Sequence, residues 1–202
     1  MSSSDQPTTT LPGSNFGSST APGSTRPTRR LLAWNGGTDI GLLLLRFAIG
    51  GVVFAHGAQK VFGLWGGPGI DGFAARLTTL GYQQPITLAW VTGITEMAAG
   101  AFVVLGILAP LAAAAILAIM INAVLLKYNG GFFVSGPAAS DAVEFSVVLG
   151  LGAACLVFTG PGRIALDNGR AWHRRPASWG ILSLVVGVAA AILVFVLLRR
   201  PV

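Results

Sequence analysis

The stretch Leu42–Phe62, LLLLRFAIGGVVFAHGAQKVF, decides the fold of this chain. It is long and apolar enough to cross a bilayer as a helix, since a span needs roughly 20 largely apolar residues. Three basic side chains interrupt it, Arg46, His56 and Lys60, and at about 100° per residue they share one helical face. A basic group near the bilayer centre costs about 2.5–3.5 kcal/mol on insertion scales. This face is therefore predicted to turn toward protein, with acidic partners on other helices.

The composition is that of an integral membrane protein. Hydrophobic residues make up 53% of the chain and charged residues 10%, whereas soluble domains carry about 25% charge. The net charge of +6 comes from basic residues that flank apolar segments, so we predict a membrane-topology signal and no nucleic-acid partner. The single cysteine, Cys155, lies in an apolar run and is predicted to be a core residue without a disulfide.

Apolar segments recur along the chain after a polar start. Residues 1–35 are rich in Ser, Thr, Gly and Pro and are predicted to form a disordered cytoplasmic tail. A short interfacial helix is predicted at residues 73–80. Five membrane spans are predicted, at residues 38–62, 86–108, 110–126, 141–158 and 179–198.

The distribution of Lys and Arg predicts the orientation of these spans. With the N-terminus inside, seven basic residues lie in cytoplasmic segments and five in outer segments or at their edges. Because an excess of basic residues marks the cytoplasmic side, we predict a multi-pass protein of the bacterial cytoplasmic membrane. Its N-terminus is predicted to lie inside and its C-terminus outside.

Polar side chains also lie within the other predicted spans. Glu96 falls near the middle of the second span, where Gly93 and Gly100 are predicted to permit close helix contact. Counted at about 1.5 Å per residue, Arg46 and Glu96 both lie near the midplane, which predicts an ion pair between them. The remaining polar residues of the spans are predicted to form a second cluster that opens toward the outer surface: His56, Lys60, Asn122 and Glu144.

Three interpretations of these residues stay open. They are buried pairs that fix the helix register, where loss of one partner costs about 3–5 kcal/mol. Alternatively, His56 and Glu144 exchange protons in a site for quinone or another small redox ligand. The third interpretation is a proton or solute pathway. No metal site is predicted, because the Glu-x-x-His pair of di-iron bundles is absent.

Several segments together resemble the DoxX family. They are, in chain order, LLRFAIGGVVFAHGAQKVFG, the small residues after Glu96, NGGFF, the Glu144-Phe145 pair and TGPGRIALD. The resemblance covers about residues 41–167 and implies an all-α, DoxX-like four-helix transmembrane bundle over residues 36–167. A basic cytoplasmic loop, 168–177, and an additional transmembrane helix, 178–202, lie outside it. The turn that carries the last motif holds Gly160, Gly162, Arg163 and Asp167.

The resemblance implies a role in membrane redox complexes, because the family is associated with quinol-oxidising and thiosulfate:quinone oxidoreductase assemblies and with oxidative stress. The leading hypothesis is an accessory or scaffolding subunit of a respiratory complex, without catalytic activity of its own. Its expected partners are membrane lipid and other subunits of that complex. The alternative is a quinone-linked oxidoreductase subunit or a quinone-binding protein that uses the outer polar cluster, and a small transporter is third. Quinone is the single cofactor considered.

Overall fold

The computed structural model describes residues 35–128, 131–133, 143–170 and 176–199. Six α-helices occupy these ranges, and a 3₁₀ turn lies at Leu64–Gly66. The helices are α1 (Gly36–Phe62), α2 (Gly69–Thr79), α3 (Pro85–Leu105), α4 (Ala109–Lys127), α5 (Glu144–Thr159) and α6 (Pro176–Leu198). The predicted all-α membrane fold is confirmed. Apart from Asn35, the predicted tail lies outside the described residues, as do residues 171–175 of the predicted basic loop.

Four helices are long and apolar enough to cross a membrane, namely α1, α3, α4 and the part of α6 from Ser178 to Leu198. Helix α5 is equally apolar but has 16 residues, which gives it a length of about 24 Å against a hydrocarbon core of about 30 Å. Large apolar side chains cover the outside of the bundle, as contact with lipid requires. Among them are Leu44, Phe47, Ile94, Leu151, Val185 and Leu193.

The predicted spans agree with the helices to within three residues wherever the structure describes both ends. A difference of three residues occurs at the end of α3, which stops at Leu105 instead of residue 108. There Gly106 adopts a left-handed conformation with φ of 71°, and its amide donates to Val103 O at 3.2 Å. A glycine in this conformation is a common helix stop, because it lacks the Cβ that would clash. Helix α2 begins at Gly69, earlier than the predicted residue 73.

Helix α4 lies between α3 and α6, because it packs against both, and it also contacts α5. The last helix is therefore part of the bundle. A Cβ added at Gly187 of α6 would lie 2.7 Å from Ala114 O of α4, and one added at Gly180 would lie 2.5 Å from Val157 O of α5. These glycines let α6 approach both neighbours closely. We call the end where α1, α4 and α6 begin the amino end, and the opposite end the α2 end.

Helices α1 and α3 run antiparallel and touch through two pairs of glycines. A Cβ at Gly50 would lie 2.7 Å from Gly100 O, and a Cβ at Gly57 would lie 2.8 Å from Gly93 O. The glycines of each helix are seven residues apart, so they lie on one face and allow the backbones to meet. The predicted close contact at Gly93 and Gly100 is confirmed, and this contact fixes the register of α1 against α3.

We expect Gly50→Ala to destabilise the protein and Gly51→Ala to leave it as stable or slightly more stable. The added methyl at position 50 meets the backbone of α3, and overpacking costs about 1–3 kcal/mol. At position 51 a Cβ has no neighbour within 4 Å, and alanine is favoured over glycine in a helix by up to about 1 kcal/mol. Thermal unfolding in detergent measures both variants, and equal melting temperatures would contradict the proposed contact.

Candidate functional site

Arg46 is buried in the bundle, with 2% of its surface exposed, and it donates to four main-chain oxygens. Its Nε donates to Val103 O at 2.8 Å and its Nη2 to Val104 O. Its Nη1 donates to Pro161 O at 3.0 Å and to Ile164 O. The last carbonyls of a helix lack partners within the helix and carry the negative end of its dipole. The guanidinium therefore caps α3 and ties it to the turn after α5.

The turn after α5 is held from a second side by the start of α1. The main-chain amide of Arg163 donates to Asp39 Oδ1 at 2.8 Å. Gly160 and Gly162 adopt positive φ values of 71° and 75°, which residues with a Cβ rarely adopt. In this structure the predicted motif residues at 160–163 thus shape and anchor a turn at the amino end of the bundle.

Asp167 joins the same turn to the α3–α4 connection. Its carboxylate accepts a hydrogen bond from the main-chain amide of Leu108, and its own amide donates to Gly106 O at 3.2 Å. Leu108 has a φ of 45°, a left-handed conformation that costs a non-glycine residue about 1–3 kcal/mol. The bond from Asp167 helps to hold this strained residue in place.

Glu96, with 1% of its surface exposed, forms an ion pair with Lys60. One carboxylate oxygen, Oε1, accepts from the Lys60 ammonium, which also lies 5.2 Å from the centroid of the Phe73 ring on α2. Opposite charges that lie beside each other in a bilayer neutralise one another. Ionisable residues within membrane spans are characteristic of functional sites in membrane proteins.

The predicted ion pair between Arg46 and Glu96 is wrong. The prediction assumed that the ends of α1 and α3 are level, but the glycine contact places Gly50 opposite Gly100. In that antiparallel register Arg46 is level with Val104, to whose carbonyl it donates. Glu96 is instead close to Lys60, which lies about four turns farther along α1 than Arg46.

A cavity of about 860 Å³ lies in the bundle and is lined by residues of all six helices. Most of its wall is apolar, including Leu88, Ile119 and Leu149. Four of the six residues in the predicted polar cluster line it: His56, Lys60, Glu96 and Asn122. The structure thus brings residues of α1, α3 and α4 together at one apolar space.

Two predicted residues lie elsewhere. Arg46 belongs to the amino-end turn, and Glu144, the first residue of α5, is half-buried and does not appear in the cavity wall. The neighbour of Glu144, Phe145, does line the cavity and packs its ring against that of His56, with centroids 5.6 Å apart. The predicted role of His56 and Glu144 as the proton-exchanging groups of one ligand site stays a prediction, and of the two only His56 lines this cavity.

Sequence reasoning missed several polar residues of the wall. Thr92 and Thr95 lie four residues and one residue before Glu96 and line the same cavity. The four-residue spacing, which places Thr92 on the same helical face as Glu96, was available in the sequence. Tyr82 also lines the cavity, although it belongs to the α2–α3 connection, and no helical periodicity points to it.

The connection between α2 and α3 is tied to the end of α6. Gln83 donates its main-chain amide to Leu198 O at 2.9 Å, and Arg199 Nε donates to Leu80 O at 3.1 Å. Burial raises the pKa of the Tyr82 phenol, while the nearby charge of Arg199 opposes this rise. Tyr82 therefore stays neutral around pH 7 and keeps its hydroxyl proton for hydrogen bonding. These contacts tie the connection, whose residues Leu80 and Tyr82 line the cavity, to the end of α6.

Two buried oxygen atoms of the cavity wall have no hydrogen-bond partner in the described part of the chain, Glu96 Oε2 and Asn122 Oδ1. The amide nitrogen of Asn122 donates to Ala118 O at 3.2 Å and to Ala191 O of α6 at 3.3 Å. Buried polar atoms are paired in most proteins, so two unpaired acceptors at one cavity indicate a place for a ligand. No group of three metal-ligating side chains occurs among the residues that the structure describes.

Comparison with known proteins gives two matches. The DoxX family model matches residues 41–129. The chain is also 31% identical over 137 residues to Rv3486, an uncharacterized membrane protein of Mycobacterium tuberculosis, and the match covers 63% of this chain and 79% of that protein. No solved structure matches the chain. The family match includes Lys60, Glu96 and Asn122 but ends before α5 and α6.

We expect Arg46→Met to destabilise the fold by at least about 3 kcal/mol, because it removes one donor to four buried or partly buried carbonyls, of which Val103 O keeps its hydrogen bond from the Gly106 amide. Arg46→Lys should fall between Arg46→Met and the unsubstituted protein, since an ammonium keeps the charge but cannot reach both α3 and the turn. Thermal unfolding in detergent measures the effect. Arg170→Met, at an exposed position, is the control and should stay within about 0.5 kcal/mol.

For the ion pair, we expect Lys60→Met alone to cost about 3–5 kcal/mol, because it leaves the Glu96 carboxylate buried without its cation. The double variant Lys60→Met/Glu96→Leu should recover most of this loss, since an apolar pair has no charge to desolvate. A double-mutant cycle on unfolding free energies measures the coupling. Additive effects of the two substitutions would show that the pair is not coupled.

Proposed function

We propose that this protein, which belongs to the DoxX family of integral membrane proteins, binds a small lipid-soluble molecule in its interior cavity. The observation that carries the proposal is the cavity of about 860 Å³, with an apolar wall and one partly buried ion pair. Ligand sites in proteins typically measure about 300–1,000 Å³ and combine apolar walls with a few placed polar groups. This cavity has both properties.

The position of the cavity opening supports the proposal that the ligand enters from the membrane. Val91 of α3 and Val186 of α6 line the cavity, yet 55% and 51% of their surfaces are exposed. Both residues lie on transmembrane helices that pack on α4. The space between α3 and α6 therefore opens toward the lipid, and a molecule dissolved in the bilayer enters without crossing the polar surface.

Quinone, the ligand suggested by sequence, fits this description in size and solubility, and aromatic residues of the wall offer contacts to a ring. Binding of such a molecule does not require the chain to be an enzyme. It is compatible with the hypothesis of an accessory subunit in a redox complex, which stays a prediction together with the partner subunits, the bacterial inner membrane and the orientation of the termini. Transport stays the third hypothesis.

We expect a lipid-soluble compound to co-purify with the protein in mild detergent. The amount of this compound per protein should be several-fold lower in Ala190→Phe. Ala190 of α6 lines the cavity, so a phenylalanine there occupies the space of the ligand. Ala189→Phe is the matched control, because this neighbouring alanine is exposed like Ala190 but does not appear in the cavity wall. Organic extraction followed by mass spectrometry measures the amount of compound per protein.

Two polar variants test which side chains reach the compound. His56→Ala should lower its amount, since His56 lines the cavity, whereas Glu144→Gln should leave it unchanged. An empty unsubstituted protein, purified from its native membrane, would argue against the proposed function. Equal retention by Ala190→Phe and Ala189→Phe would place any bound compound outside this cavity.

A further inference from the structure

We propose that the ligand of this cavity is an amphiphile with an anionic head group on one alkyl chain, and that its head group binds at the α2 end. This inference rests on the proposed function and adds the chemical class of the ligand. It follows from the charges of the described cavity wall, in which cations outnumber carboxylates. The charged residues of this wall are Lys60, Arg76, Glu96 and Lys127.

The three cations of the wall lie at one end of the cavity. Lys60 belongs to the last turn of α1 and Lys127 to the last turn of α4, and both helices end at the α2 end of the bundle. Arg76 belongs to the last turn of α2 itself. Basic side chains from three different helices therefore line the cavity where it reaches the α2 end.

The carboxylate of the wall balances one of these cations. Glu96 forms its ion pair with Lys60. Two further carboxylates, Asp71 in the first turn of α2 and Glu144 at the start of α5, do not appear among the described residues of the wall. The wall therefore has an excess of positive charge. A cleft lined by one sign of charge, with walls of low dielectric constant, attracts ligands of the opposite sign.

The part of the wall farther from the α2 end suits an alkyl chain. On α4 the lining residues extend from Leu111 to Lys127, a length of about 24 Å at about 1.5 Å per residue. Between Leu111 and Ile119 they are alanine, leucine and isoleucine only, whereas Asn122 and Lys127 follow toward the α2 end. Along α4 the cavity is thus apolar first and polar at its end, which matches a molecule with one apolar chain and a charged head.

The basic end of the cavity lies at the depth of lipid head groups. Helices α1 and α4 are long and apolar enough to span the membrane, and their last turns, which carry Lys60 and Lys127, lie where a span leaves the hydrocarbon core. An amphiphile that enters between α3 and α6 keeps its head group at this depth and its chain among apolar groups, as it does in lipid. A neutral ligand such as a quinone would fill the apolar part without using the cations.

The full-length protein in phosphatidylcholine nanodiscs, stripped of co-purified lipid, tests this preference with palmitate, methyl palmitate and hexadecyl phosphate. Binding of each radiolabelled compound is corrected for its binding to empty nanodiscs, since all three dissolve in lipid. We expect palmitate to bind about tenfold or more tightly than its ester, because a hydrogen bond to a charged group contributes that much. The phosphate has the same chain, and the tighter of the two anions identifies the head group.

The double variant Arg76→Gln/Lys127→Gln removes two cations of the wall and keeps polar side chains. It should lose most of the preference for palmitate over the ester, while its affinity for the ester stays as in the unsubstituted protein. Arg170→Gln, at an exposed position of the amino end outside the cavity wall, is the matched control and should keep the full preference. Should the double variant fail to fold, Arg76→Gln alone, at an exposed position, should lower the preference several-fold.

Ala190→Phe tests whether the anion binds inside the cavity or on the outer surface. It should abolish binding of palmitate, because Ala190 lines the cavity, whereas Ala189→Phe, outside the wall, should retain it. Equal binding of palmitate by these two variants would place the anion outside the cavity and overturn the inference.

Equal affinities for the ester and both anions would overturn this inference and leave the proposed function standing, because a lipid-soluble ligand would still bind. A full preference for palmitate in the double variant would also overturn it, since the cations of the wall would then not be responsible. Binding of none of the three compounds would overturn the inference, and together with an empty native protein it would overturn the proposed function as well.

Discussion

The contact between α1 and α3 through glycines is the constraint on which the polar geometry of this protein depends. Gly50 and Gly57 allow the backbone of α1 to meet that of α3, and in a bilayer such close packing supplies much of the attraction between helices. The register that results sets Arg46 beside the end of α3 and Lys60 beside Glu96. A shift by one turn would separate both cations from their partners in a medium that offers no water.

This register gives two polar sites, which differ in how many of their hydrogen-bonding atoms have partners. At the amino end, Arg46 donates to four carbonyls and links α3 to the turn after α5. That network is a stabilising element, as expected where lipid cannot replace a missing hydrogen bond. At the cavity, Glu96 and Asn122 each keep one acceptor oxygen without a partner among the residues that the structure describes. A buried polar atom without a partner costs stability, so the second site has the character of a binding site.

The last helix belongs to both the fold and the candidate site, although the DoxX family match ends before it. Helix α6 packs closely on α4 through Gly187, and the carbonyl of Ala191 orients the amide of Asn122. Five of its residues complete one wall of the cavity: Val186, Gly187, Ala190, Ala191 and Val194. The cavity of this protein is therefore formed jointly by the matched region and by the helices that follow it in the chain.

The amino-acid sequence by itself determined the number and approximate limits of the apolar helices, because the length and hydropathy of each segment are local properties. It also identified four polar residues of the candidate site, His56, Lys60, Glu96 and Asn122, since a charged, imidazole or amide group in an apolar segment stands out without any knowledge of packing. Which of them meet was decided by the tertiary structure alone. Arg46 and Glu96 have similar depths by residue count, yet the glycine contact separates them and pairs Glu96 with Lys60. The reason is physical: the relative height of two helices depends on how their surfaces fit, and that fit is a property of two segments far apart in the chain.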